Sequence, residues 1–369
     1  MKIAIVHDDF MQYGGAEKLV VAMLEVFPKA QLYTAIFDPK VLKLLKIPVS
    51  SVRASFMQKI PLKKLWYRPF FFLYPLAFES LSSLGQLDRY KVVVSSTARF
   101  AHGVLTKPGT THIAYVNSPG RMWWEPEKYF TKGWQVKLFA PFTKWLKFWD
   151  RVAMSRVDVV VANSKNVAGK VEERYGRKAD LVIYPFSKCS NTNTSSISNS
   201  NSKFFLIVTR LSPWKRVDIA VKVFKANPDL GSLVVVGVGP EKRWLQRLTG
   251  GAQNITFLSG LTDSELYSYY GGARALIVTQ EEDFGITPLE ALSQGTPVIA
   301  FAKGGVLETV VEGEHGVFFA KQTAESLKKA LVDFSPPVGG SKGSLERQAK
   351  KFGKERFVKE ITALVKKYV

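Results

Sequence analysis

Two carboxylates and two cations in this sequence have the types and spacing to hold a hydroxylated, phosphorylated ligand. Glu282 and Glu290 bracket "EEDFGITPLE", residues 281 to 290, directly after the apolar run "ALIVTQ". Ionised carboxylates accept strong hydrogen bonds from paired hydroxyls. "TPLE" also reads locally as a capping box, with Thr287 capping, Pro288 at the first helical position and Glu290 reaching back, which explains Glu290 alone. In "IVTRLSPWKRVD", Arg210 and Lys215 follow another apolar run and precede an amphipathic stretch. Such a pair suits a diphosphate, with a helix N-terminus adding partial positive charge, although alone it is more often a solvated surface pair. "VVVGVGP" offers Gly237 and Gly239 for close approach of a base or sugar, without the full dinucleotide fingerprint. "FAKGGVLETV" adds Gly304, Gly305 and Glu308, which also read as a turn followed by the acid of a helix's first turn.

Loops act together only if one edge holds them. "FFLIVTR", "LVVVGVG", "NITFLSG", "ARALIVTQ" and "TPVIAFA" alternate with amphipathic segments, which puts all four loops at the carboxyl ends of expected strands. The first half repeats the pattern with "KIAIVHD", "QLYTAIF", "YKVVVSST", "THIAYVNS" and "VDVVVANS". This alternation predicts an α/β protein with two doubly wound parallel sheets and ligand sites at the strands' carboxyl ends. The expected boundaries are a first domain over 1–186, a flexible Ser/Asn-rich linker over 187–203, a second domain over 204–345 and a terminal helix over 346–369. The charge pattern of that helix reads as a surface element.

Composition excludes several classes. A chain of 369 residues with 46% hydrophobic content is globular and long enough for two cores. Its single cysteine, Cys189, permits no internal disulfide framework and fits a reducing compartment. The N-terminal "MKIAIVHDDF" has no apolar core of signal-peptide length, and no run of about 18 uncharged apolar residues exists to span a bilayer. A cytoplasmic location is expected. The net charge of +21 is unevenly spread: residues 40 to 156 carry 20 Lys and Arg against 5 Asp and Glu, which leaves 32 against 26 elsewhere. A confined excess implies a surface that faces something anionic.

The order and spacing of "TRLSPWKRVD", "VVGVGP", "FLSGLTDSELYSYYGGARALIVTQEEDFGITPLEALSQGTPVIAFAKGGVLETV" and "EHGVFF" resemble glycosyltransferase family 4 over essentially the whole second half. The first half matches through "GGAEK". The resemblance implies the GT-B fold, two Rossmann-like domains facing a central cleft, with the acceptor on the first and the nucleotide sugar on the second. It implies that Glu282 faces hydroxyls of the donor hexose, that Glu290 holds the ribose hydroxyls, and that the backbone around Asp283, Phe284, Gly285 and Ile286 meets the phosphates. Arg210 and Lys215 then neutralise the leaving diphosphate, while Gly15, Gly237 and Gly239 complete the donor side. The family retains anomeric configuration. The sequence has no Asp-x-Asp pair and no metal-ligand spacing among its four histidines, so neither a catalytic metal nor another cofactor is expected. No obvious carboxylate nucleophile stands out in the first half, which favours front-face transfer assisted by the leaving phosphate.

In the first half, "SSTARFAHGV" and "YVNSPGRMWWEP" follow two expected strands. The second resembles "His-Ser-Pro-x-Arg" of bacterial mannosyltransferases of surface-polysaccharide assembly, with Asn117 where that histidine would stand. The resemblance makes mannose from GDP-mannose the first choice of donor, with a UDP-sugar as the alternative. Asparagine orients a hydroxyl but is no base near neutrality. Arg121 and His102 are further candidates on the acceptor side, His102 equally readable as a helix-surface histidine. Two stretches, "MQKIPLKKLWYRPFFFLYPLAFESL" and "YFTKGWQVKLFAPFTKWLKFWDRV", carry most of the basic excess among dense aromatics. Trp145, Phe148 and Trp149 alternating with Lys144, Lys147 and Arg151 suit an anionic membrane surface and a lipid-linked or glycan acceptor. The same residues at helical spacing could be core. Two rival readings are a nucleic-acid-binding protein and a nucleotide-sugar epimerase. The first leaves the four ligand loops unexplained, so no nucleic-acid partner is expected, and the second needs catalytic acids in place of an acceptor site.

Overall fold

Valine- and isoleucine-rich runs without polar alternation make strands covered on both faces. Each expected run contains a strand in the computed structural model, which describes residues 2–61, 69–83, 87, 89–130, 133–187, 204–335 and 341–369. One sheet comprises β1 (Ile3–His7), β2 (Gln31–Thr34), β3 (Val52–Ala54), β4 (Val92–Thr97), β5 (Thr111–Val116), β6 (Val159–Ala162) and β7 (Leu181–Val182). They lie in the order β3-β2-β1-β4-β5-β6-β7, every pair parallel. The second comprises β8 (Phe204–Val208), β9 (Leu233–Val236), β10 (Ile255–Leu258), β11 (Ala273–Val278), β12 (Val298–Phe301) and β13 (Gly316–Phe319). Its order is β10-β9-β8-β11-β12-β13, again parallel throughout. The strands absent from the sequence reading, β3, β7 and β13, are all sheet edges. Edge strands are short and covered less completely, so they lack the continuous apolar run that marks a central one.

The chain divides into two compact units, Met1–Pro185 with Lys354–Val369, and Phe186–Gly353. Ser187 is buried, its amide bonded to the Phe352 carbonyl at 3.1 Å. The rest of the expected linker lies outside the described residues, as do residues 62–68 of the first basic aromatic stretch. The single terminal helix expected is two, Lys342–Lys350 and Lys354–Lys366. The first packs on the helix Ile286–Ser293 of the second unit. The second belongs to the first unit and buries Phe357, Ile361, Leu364 and Val365, with the Phe357 ring 6.1 Å from that of Tyr115. Its charged residues form only the outer face, which is why charge pattern alone reads it as a surface element.

In each sheet the strand order reverses beside the first strand, between β1 and β4 and between β8 and β11. Connections there leave to opposite sides and open a crevice beyond the carboxyl ends. Among the described residues no helix is long and apolar enough to cross a membrane.

Candidate functional site

At the reversal in the second sheet the topology brings Lys215 and Glu282 together. The connection from β8 passes exposed Arg210 and makes one tight turn, Pro213–Lys215. Lys215 is buried, its Nζ 2.5 Å from Glu282 Oε1 and 4.0 Å from the centre of the Trp214 ring. Gln280, just past β11 and equally buried, donates its Nε2 to the same Oε1 at 2.5 Å. Thr279 Oγ1 donates to the Lys215 carbonyl at 2.7 Å, which ties the two strand ends together. A carboxylate, an ammonium and an amide thus converge in a space sheltered from water, where charge-assisted bonds are strongest.

The helix Ile286–Ser293 follows Gly285, whose φ of +91° is open to glycine and strained for other residues. Gly285 itself is the N-cap and no side chain caps the helix. The capping-box expectation fails: the helix starts before Thr287, so Thr287 and Pro288 fall inside the first turn. Proline is tolerated there because first-turn amides have no partner within the helix. Glu290 Oε2 accepts from Tyr270 Oη at 2.8 Å. The Phe284 ring turns to the core, 5.7 Å from that of Phe352, and Asp283 is also buried, so this loop offers mainly backbone. A Cβ at Gly304 or Gly305 would come within 2.3 Å of the Glu282 carbonyl oxygen or 2.4 Å of that of Asp283, so the β12 loop lies directly on the Glu282 loop. Glu308 is the acid in the first turn of the short helix Val306–Thr309. Gly237 and Gly239 answer to the same kind of packing: their Cβ atoms would meet the carbonyl oxygens of Thr209 at 1.9 Å and Leu211 at 2.2 Å. Their bareness serves the neighbouring loop.

In the first unit, the β1–β4 reversal gathers residues that the sequence reading passed over. Asp8, almost fully buried, accepts from the amides of Ala98, Phe100 and Ala101 at 2.6, 2.8 and 2.7 Å and thereby shapes the turn after β4. Asp9 is buried beside it and accepts from Arg99 Nη2 at 2.5 Å. Burial pushes the Asp9 carboxyl up, the Arg99 charge opposes this, and Asp8 adds to it. His7 donates from Nδ1 to the Ser96 carbonyl at 3.0 Å, with Nε2 3.9 Å from Glu17 in the first turn of the helix Gly15–Val26. Burial lowers the His7 pKa, but Glu17 and the two aspartates raise it by more. The sequence signal was present in "HDD" at the end of β1 and in the glutamate of "GGAEK". Spacing alone could not bring Arg99 to them. Gly14 caps the helix that Gly15 opens, again with no side-chain cap.

Of the acceptor-side candidates, Asn117 donates its amide to Ser96 Oγ at 3.0 Å and is partly open. Arg121 Nε lies 4.0 Å from Glu125 Oε2. His102 is neither a surface histidine nor open to ligand: it is 2% exposed, shares a hydrogen bond with Thr97 Oγ1 at 3.0 Å and places Nε2 3.0 Å from Asp150 Oδ1. Asp150, wholly buried, accepts from the indoles of Trp123 and Trp124 at 2.9 and 2.6 Å. The carboxylate therefore fastens the segment after β5 to one helix, Ala140–Ser155, with His102 of the turn after β4 beside its other oxygen.

That helix carries much of the second basic aromatic stretch and sorts it by face. Trp145 and Phe148 are 45% and 70% exposed, alongside exposed Lys144 and Arg151. Trp149 turns inward, 9% exposed and 5.6 Å from the Phe100 ring, so it is core and not part of the outer face. Exposed Trp134 and Leu138, on the preceding helix Gly133–Leu138, add apolar surface.

Residues 191–335 match the family model described as glycosyl transferases group 1. The chain is 32% identical over 145 residues to the D-inositol 3-phosphate glycosyltransferase of Corynebacterium glutamicum, covering 36% of this chain and 35% of that protein. It is 29% identical over 262 residues to the α-1,3/1,6-mannosyltransferase of Dictyostelium discoideum, covering 57% and 61% respectively. The chain thus spans less than two thirds of the length of these curated relatives. Among solved structures, that of Anabaena HepE with UDP and glucose superposes with a TM-score of 0.75 over 99% of both chains at 18% identity, a likeness of fold. With its two parallel α/β sheets and this likeness, the chain has a GT-B fold, and its residues 191–335 are similar to the glycosyl transferases group 1.

Proposed function

We propose that the chain is a retaining glycosyltransferase that moves a hexose, with mannose from GDP-mannose the first choice, to a lipid-linked or polysaccharide acceptor at the cytosolic face of a membrane. The observation that carries this reading is the meeting of Lys215, Gln280 and Glu282 at the β8–β11 reversal, with Glu290 on the helix that follows. A nucleotide sugar needs cations for its diphosphate and carboxylates for its hexose and ribose hydroxyls, and this edge supplies all of them.

Glu282 and Lys215 are bonded to each other, so an entering donor must separate them. The diphosphate takes the cation and the hexose takes the carboxylate, while Gln280 keeps Glu282 oriented. The bond from C1 to the phosphate oxygen then breaks as the acceptor oxygen bonds to C1 on the same face. The acceptor's proton passes to the departing phosphate oxygen. Arg210 and Lys215 carry the charge that the nucleoside diphosphate gains, the role a metal plays elsewhere, and no divalent ion or other cofactor is assigned. Asn117 and Arg121, beyond β5, orient the acceptor. His102 acts from behind them, holding the turn in place. Trp145 and Phe148 with Lys144 and Arg151 dock the first unit on anionic lipid, each cation adding about 1 kcal/mol near the leaflet.

The mannosyltransferase among the relatives and the "NSPGR" stretch support mannose. The UDP and glucose held by HepE favour a UDP-sugar as the second reading. Thermal unfolding with GDP-mannose, GDP, UDP-glucose and UDP tests both. A donor at 100 times its dissociation constant should add about 2.7 kcal/mol of stability. A shift with the GDP pair selects the first reading, and a shift with the UDP pair selects the second. No shift with any of them contradicts the donor site.

A further inference from the structure

We infer that Tyr270 is the positioning residue for Glu290, fixing the plane of the carboxylate that recognises the ribose of the donor. The inference rests on the donor-site reading above and adds a residue to it. Tyr270 sits on the helix Asp263–Gly272, which packs against the helix that carries Glu290. Its side chain is fully buried, and Oη lies 2.8 Å from Glu290 Oε2. Burial, and then the Glu290 charge, push the phenol well above its usual range, so the hydroxyl is a fixed donor to that oxygen. The backbone of Tyr270 is held as well: its carbonyl accepts from Thr296 Oγ1 at 2.5 Å, beyond the far end of the Glu290 helix. Both ends of the tyrosine are therefore anchored before any ligand arrives. A carboxylate that must accept from two vicinal hydroxyls needs its plane set in advance, because a freely rotating one loses affinity in ordering. Tyr270 acts through Glu290 and touches no reacting atom.

The test uses calorimetric titration of the full chain, of Tyr270→Phe and of Glu290→Ala with GDP and 2′-deoxy-GDP, and with UDP and 2′-deoxy-UDP. The unaltered chain should prefer the ribonucleotide. Tyr270→Phe should bind that nucleotide about tenfold more weakly, the loss of one hydrogen bond to a charged group. It should also shrink the ribo-to-deoxy preference towards that of Glu290→Ala. A weaker but equally selective Tyr270→Phe would show a merely structural tyrosine and overturn the inference. Unaltered affinity and selectivity would overturn it too. If the unaltered chain binds ribo and deoxy forms alike, or if Glu290→Ala keeps the preference, the ribose assignment beneath the inference falls instead. Thermal unfolding of Tyr270→Phe provides a control, since a folded variant with a changed ratio cannot be explained by loss of structure.

Discussion

Glu282 accepts from two donors on one oxygen, and this has a measurable consequence. Lys215 and Gln280 both lie 2.5 Å from Oε1. A nucleoside diphosphate without its sugar must draw Lys215 away from Glu282 and receives nothing for the carboxylate in return. Glu282→Gln should therefore bind GDP or UDP severalfold more tightly than the unaltered chain, yet slow transfer by on the order of 10²-fold, because the charged acceptor for the hexose is gone. Calorimetry and turnover on the same preparation check both halves, and weaker binding of the diphosphate would count against the competition. A second residue-scale expectation concerns His112, buried on β5 with Nε2 2.8 Å from Ser95 Oγ. Burial, then the nearby His102 and Arg156, lower its pKa from 6.5 to about 3. The unfolded chain therefore binds a proton that the folded chain does not between those values, and stability falls as pH drops from about 6.5 towards 3. His112→Gln should flatten that part of the profile of unfolding free energy against pH. An unchanged slope would mean that His112 titrates normally.

At the scale of elements, the helix Ala140–Ser155 is the most discriminating. Its outward Trp145 and Phe148 should be dispensable for folding, so that Trp145→Ala with Phe148→Ala changes stability by about 0.5 kcal/mol or less yet abolishes salt-resistant binding to acidic vesicles. Trp149→Ala should cost about 3–5 kcal/mol, because its ring fills the aromatic core around Phe100. Denaturant unfolding and vesicle flotation separate the two, and a folded double variant that still floats would put the membrane surface elsewhere. Periodicity could not tell Trp145 from Trp149, which stand four residues apart on a helix whose core face was unknown. The central strands were legible because a parallel strand covered on both faces is apolar without interruption. The edge strands β3, β7 and β13 were not, and the Gly285 cap was hidden because a positive φ leaves no mark beyond the glycine itself.

At the scale of the whole molecule, two sheets with the same reversal of order place their most polar loops at equivalent edges. Glu282, Glu290, Arg210 and Lys215 stand out in the sequence as candidates because each lies just after an apolar run or at the start of the next helix. Arg99 with Asp9, and Asp150 with Trp123 and Trp124, could not, because only the fold brings them together across 90 and about 26 residues. The central claim is that the β8–β11 edge is the nucleotide-sugar site, and it stands or falls on Lys215. The direct measurement is calorimetric titration of GDP-mannose and UDP-glucose into the full chain and into Lys215→Ala. One donor should bind the unaltered chain, and the variant should bind that donor about 10- to 100-fold more weakly, the loss of a charge-assisted bond. Undiminished binding in Lys215→Ala, or no binding of either donor by the unaltered chain, would contradict the account.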